Sequence, residues 1–131
     1  MSKFLDFMLR PETPNVQKEL PTAEYEIKRL SQQFGEPVTV RLQGLPYGKV
    51  QELKDTAADR EVLILLAGCP ELKDPSLGTK FGGATPAETV QRMLLPGEIA
   101  DLSMAVERLS GYRRNTIKEV KNDSRSEATR S

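Results

Sequence analysis

The chain has no histidine, no tryptophan and only one cysteine, Cys69. Without histidine there is no imidazole to serve as a general base near neutral pH, no Ser/His or Cys/His nucleophile pair, and no ordinary zinc site. A lone cysteine cannot form an intramolecular disulfide, which fits a reducing compartment. Neither sign of charge is in excess, since 19 Lys+Arg stand against 19 Asp+Glu. A neutral chain has no bulk field to draw it to nucleic acid or to an anionic membrane. Long apolar runs are also missing. The longest, residues 62–67, falls far short of the roughly 20 residues that span a bilayer. The first ten residues include Asp6 and lack a small-residue cleavage site, so no signal peptide is expected. Ser2 replaces the glycine that myristoylation needs. These absences predict a soluble cytoplasmic protein with no membrane or nucleic-acid partner, no cofactor, no metal and no catalytic residue.

What is present is one domain's worth of chain, 131 residues, with its apolar residues in short periodic groups. Phe4, Leu5, Phe7, Met8 and Leu9 cluster ahead of Pro11, and at helical spacing Phe4, Phe7 and Met8 share a face. Two readings stay open for this cluster: a helix packed on the domain, or a detached amphipathic segment that docks on a partner. Pro11, Pro14 and Pro21 then predict an extended, mobile linker over 10–22. Tyr25 and Ile27 alternate with charged residues, and Val38, Val40 and Leu42 alternate again after the turn region Ser31–Pro37. That pattern reads as a β-hairpin over 24–43, with Phe34 in its turn.

From Pro46 the period lengthens. Tyr47, Val50, Leu53 and Ala57 predict one face of a helix over about 46–57. Residues 60–68 are apolar all round after a charged start, so periodicity leaves helix and strand open. Gly68 and Pro70 as stop signals favour a helix. Asp74 and Pro75 can cap and open a short turn. Thr85-Pro86-Ala87-Glu88 has the form of a capping box, with the Glu88 carboxylate reaching back to Thr85, at the head of a helix over about 86–95. Pro96 interrupts it. Ile99, Leu102, Val106 and Leu109 then stripe a helix over about 96–110, with Gly111 as its stop. The expected fold is α+β: an N-terminal β-hairpin packed on a small bundle of about four helices, with disordered termini. Its domain plan is an apolar, Pro-rich arm (1–22), one globular domain (23–112) and a polar flexible segment (113–131), the last nine residues disordered.

Three chemical motifs lose to plainer readings. Gly82-Gly83 before a helix resembles a phosphate cradle, but the G-x-x-x-x-G-K-[ST] pattern is missing, so a structural linker is expected. Glu98 and Asp101 stand where a helix dipole favours acids. Cys69 lacks an activating histidine and should be a small buried group.

One ordered set of residues carries a resemblance. Pro70-Glu71-Leu72-Lys73-Asp74-Pro75-Ser76-Leu77, then Thr85-Pro86-Ala87-Glu88, Met93-Leu94-Leu95-Pro96-Gly97-Glu98, Leu109-Ser110-Gly111-Tyr112 and Glu119-Val120-Lys121-Asn122 resemble the XkdN-like phage tail assembly chaperones over residues 70–122. The resemblance implies a non-enzymatic protein of a phage or prophage. Such a protein binds the long apolar tape measure protein, helps recruit tail tube subunits, and is absent from the mature virion. It also allows a longer product extended past Asn122. A holdase needs exposed apolar side chains. The residues expected to bind the partner are Phe4, Phe7, Met8, Phe34, Phe81 and Met104. Self-association is a further expectation. The alternatives are a small structural tail or baseplate protein retained in the virion and, against the neutral charge, a DNA-binding regulator.

Overall fold

The computed structural model describes residues 2–54 and 59–120. In chain order the elements are α1 (Lys3–Met8), β1 (Thr22–Glu26), α2 (Lys28–Phe34), β2 (Thr39–Gln43), α3 (Tyr47–Lys54), α4 (Arg60–Gly68), a 3-10 turn (Pro70–Lys73), α5 (Pro75–Phe81), α6 (Pro86–Met93) and α7 (Pro96–Leu109). The class is α+β, with seven α-helices among the described residues beside one two-stranded antiparallel sheet.

The period-two runs do form the sheet. Tyr25 pairs with Val40 and Ala23 with Leu42, so the apolar side chains of both strands share the inner face. The connection between the strands is a helix, where the sequence reads a simple turn. Helix α2 starts at Ile27, which has no side-chain acceptor to cap it, and ends at Gly35, whose φ of 72° is the left-handed stop that favours glycine. The Ser31 hydroxyl accepts from the Val38 N–H at 2.8 Å and folds the helix back onto the second strand. Ile27 is thereby buried at a helix start instead of extending a strand.

The apolar run of residues 62–67 lies in helix α4, which forms the centre of the core. It packs along α7 and against α6, while the sheet lies against α7. Leu42, Leu65, Val90 and Val106 are fully buried, one from each of β2, α4, α6 and α7. Ile99, Leu102 and Val106 face inward as the stripe predicts, with Leu109 packed at the margin. The end of α7 is a Schellman motif: the Gly111 N–H donates to the Arg108 carbonyl at 3.0 Å and the Tyr112 N–H to Glu107 at 2.9 Å. Gly111 has φ 99°.

Several local expectations shift by a residue or a face. Tyr47 is 75% exposed, because it opens α3, and of the described residues of the predicted face Val50 and Leu53 reach the core. Ala57 lies outside the described residues. The Thr85 hydroxyl caps α6 by accepting from the Glu88 N–H at 3.2 Å, but the Glu88 carboxylate accepts from Ala84 instead of Thr85, at 3.4 Å. Asp74 caps α5 through the Ser76 N–H at 2.9 Å. The linker after α1 is turned, not extended. The Thr13 hydroxyl donates to the Phe7 carbonyl, and Asn15 forms an Asx turn with Gln17. Residues 113–120 form no helix or strand, and the expected disorder of the last nine residues concerns positions outside the described ones.

Candidate functional site

Helix α1 is the most exposed apolar element among those described. The Ser2 hydroxyl caps it by accepting from the Leu5 N–H at 3.2 Å, yet none of its residues is buried. Phe4 is 68% exposed, and Phe7 and Met8 about half exposed, with Leu5 and Leu9 beside them. The Arg10 guanidinium covers part of Phe7, 4.2 Å from the ring centroid. The other expected binding residues sit on three further elements. Phe34, 66% exposed, ends α2. Phe81 ends α5 and is half-buried, its ring 5.3 Å from the Lys80 ammonium. Met104 is half-buried on α7, with its sulfur accepting from Arg108 at 3.6 Å. Among the described residues the exposed large apolar side chains cluster in sequence on α1 and its cap, while the others, Phe34, Tyr47, Ile117 and Val120 among them, are scattered along the chain.

A second feature is not legible in the sequence. A cavity of about 160 Å³ opens between α3, α4 and the end of α7. Leu45, Val50, Leu53 and Ile64 supply its apolar lining, and Lys54 and Arg60 line it as well. Two other polar residues of the lining, Ser110 and Glu107, are engaged in bonds of their own. The Ser110 hydroxyl accepts from the Leu45 N–H at 2.7 Å and donates to the Val106 carbonyl at 2.8 Å, and Glu107 pairs with Arg113 at 3.0 Å. Neither Lys54 nor Arg60 forms an ion pair among the described residues. A preformed apolar cavity of about 150 Å³ is large enough for a benzene ring. The spacing of Val50 and Leu53 marks a core-facing helix in the sequence, but nothing local marks the gap they leave.

The remaining motifs resolve as structure. A Cβ on Gly82 would lie 2.5 Å from Arg92, and one on Gly83 would lie 2.8 Å from the Thr89 backbone nitrogen. The pair is packed against α6, with the Thr89 hydroxyl donating to the Gly82 carbonyl at 2.7 Å, so it is no open cradle. Cys69 is fully buried, and that burial pushes its thiol pKa up, away from the reactive thiolate. No cluster of metal-ligating side chains occurs among the described residues, and none of their helices is long and apolar enough to cross a membrane.

Glu98 does more than complement a helix dipole. Its carboxylate takes both Arg29 donors, at 2.9 and 3.0 Å, and accepts from the Leu95 N–H at 2.8 Å. Arg29 also reaches the Met93 carbonyl at 3.3 Å. This clamp ties α2 to the junction of α6 and α7. The Arg29 hydrogen bond holds the Glu98 carboxyl below its ordinary range, against the opposing effect of partial burial. A depressed folded-state value contributes stability above the unfolded glutamate pKa of roughly 4.3, and that stability is lost as pH falls through the folded value. Urea midpoints measured against pH should therefore drop in the acid range. Glu98→Gln should be less stable than the parent at neutral pH and should flatten part of the acid drop. An unchanged acid slope in that variant would remove the clamp from the account.

Residues 61–123, just under half of the chain, match the family model described as the phage XkdN-like tail assembly chaperone protein, TAC. The matched span runs from the start of α4 past the end of α7 and contains the ordered residues that carry the resemblance. The family indicates a phage tail assembly chaperone. No curated protein and no solved structure matches the chain.

Proposed function

We propose that this chain is a phage tail assembly chaperone that binds the apolar, helical tape measure protein in the host cytoplasm. It holds that protein soluble, assists tail tube assembly without catalysis, and is left out of the finished particle. The family match over residues 61–123 carries this reading. The exposed face of α1 supports it, because an amphipathic helix on a short arm is a physical means of covering another protein's apolar surface. Phe4, Phe7 and Met8 are the primary contacts in this reading, Phe34 is a second one, and Phe81 and Met104 contribute less because they are half-buried.

Co-expression with the tape measure protein of the same phage is expected to raise that protein's soluble yield several-fold and to recover the two in one complex. Phe4→Asp with Phe7→Asp should lose most of that gain while the chain itself stays folded, since neither ring belongs to the core. No complex and no gain in yield would refute the proposal. Recovery of the chain in stoichiometric amounts from purified particles would favour a structural tail or baseplate subunit instead.

A further inference from the structure

We propose that the outer edge of β1 takes up an extended, basic segment of a partner polypeptide as a third strand of the sheet. Hydrogen bonding in an antiparallel pair alternates along the strands. The Gly44 N–H donates to the Pro21 carbonyl at 2.9 Å and the Ile27 N–H to the Val38 carbonyl at 3.0 Å. That phase makes Ala23 with Leu42, and Tyr25 with Val40, the bonded pairs between those two ends. Thr22, Glu24 and Glu26 therefore turn their backbone N–H and C=O groups away from β2, and those groups have no hydrogen-bond partner among the described residues. All three residues are exposed. The outer edge of β2, by contrast, is closed in at its end by α4, since a Cβ on Gly68 would lie 2.9 Å from the Gln43 carbonyl oxygen.

The side chains of this edge fix the occupant's chemistry. Glu24 and Glu26 form no ion pair among the described residues. Arg41, opposite Glu24, donates instead to the Thr22 hydroxyl at 3.3 Å. A strand added to β1 places its own alternate side chains beside these two carboxylates, where opposite charges stabilise pairing and like charges oppose it. A second copy of β1, laid antiparallel about Glu24 or parallel in register, sets glutamate against glutamate, so the edge disfavours its own kind. A segment with Lys or Arg at every second position complements it. The intervening apolar side chains of that segment fall on the inner face beside Ala23 and Tyr25, which are half-buried there. In this mode of recognition backbone bonds supply the affinity and alternate side chains the choice of partner. Strand β1 lies outside residues 61–123, so this surface belongs to the part of the chain that the family match does not cover.

Titration of the isotope-labelled full chain with a blocked heptapeptide that alternates lysine with valine tests this. The Glu24 and Glu26 amides should exchange with solvent several-fold more slowly in its presence, and a glutamate–valine peptide of the same length should not bind. Glu24→Lys with Glu26→Lys should weaken binding about tenfold or more. Glu24→Pro should abolish it, because proline removes the outward N–H at the centre of the edge. That N–H takes no part in the bonds between β1 and β2, so the fold should survive, and circular dichroism checks it. No binding of the lysine peptide, equal binding of the glutamate peptide, or binding indifferent to Glu24→Pro would each overturn the inference. Dimerisation of a Glu24→Thr, Glu26→Thr variant that accompanies such a failure would assign the two glutamates to keeping copies apart. The proposal on the tape measure protein would still stand, since it rests on the family match and on α1.

Discussion

Leu65→Asp is expected to leave the chain without a cooperative unfolding transition. Leu65 is 0% exposed at the centre of α4, between α6 and α7. Truncating a buried leucine alone costs about 2–5 kcal/mol. Aspartate adds a carboxylate with no cation or donor prepared for it, at a further cost of several kcal/mol unless it takes up a proton. Together these approach or exceed the 5–15 kcal/mol, roughly, that holds a domain folded. Leu65→Met keeps volume and polarity and should cost less than about 1.5 kcal/mol. Circular dichroism and urea denaturation of the two variants make the comparison. A cooperative transition near the parent midpoint for Leu65→Asp would place the core elsewhere.

The sequence makes this centre legible because the signals that mark it are local. A run of six apolar residues, the three-four spacing of Ile99, Leu102, Val106 and Leu109, and the caps at Asp74 and Thr85 all follow from neighbours within a turn or two. Helix α2 is not legible for the same reason. Its start at Ile27 has no acceptor, and Glu24 to Leu30 reads as a continuing strand. The Ser31 bond to Val38, seven residues on, and the Arg29 bond to Glu98, sixty-nine residues on, hold it in place. Of the expected binding residues, α1 stands out in sequence because its cluster sits ahead of three prolines. Phe81 and Met104 look equally apolar, and only their packing leaves them half-buried. The cavity has no sequence signal at all, since it is a gap between α3, α4 and α7 created by how those helices meet.

The junction between sheet and helices rests on two glycines, and their replacement should separate two kinds of close contact. A Cβ on Gly68 would lie 2.5 and 2.7 Å from the Val106 methyls and 2.9 Å from the Gln43 carbonyl oxygen. A Cβ on Gly44 would lie 2.5 Å from the Leu109 carbonyl oxygen and 3.1 Å from the Ser110 nitrogen. Both crowd the end of β2, one against α4 and the other against the last turn of α7. Each alanine variant should be destabilised by about 1–3 kcal/mol, with Gly44→Ala the worse, because a carbonyl in a closed helix end cannot turn aside as a methyl can. The separating measurement is a pair of double-mutant cycles by urea denaturation. Val106→Ala removes the methyls that a Gly68→Ala side chain meets, so that pair should cost about 1 kcal/mol or more less than the sum of its singles. Leu109→Ala leaves its own carbonyl in place, so it should not relieve Gly44→Ala, and that pair should add. Additivity in the first cycle would mean that the Gln43 carbonyl, and not Val106, sets how closely α4 approaches the sheet. Relief in the second would mean that α7 is positioned by the Leu109 side chain instead of by its backbone. Because the Ser110 hydroxyl that holds Leu45 lies one residue past Leu109, the Gly44→Ala strain should also reach the cavity wall, whereas the Gly68→Ala strain falls on Val106 and the Gln43 carbonyl, neither of which lines the cavity.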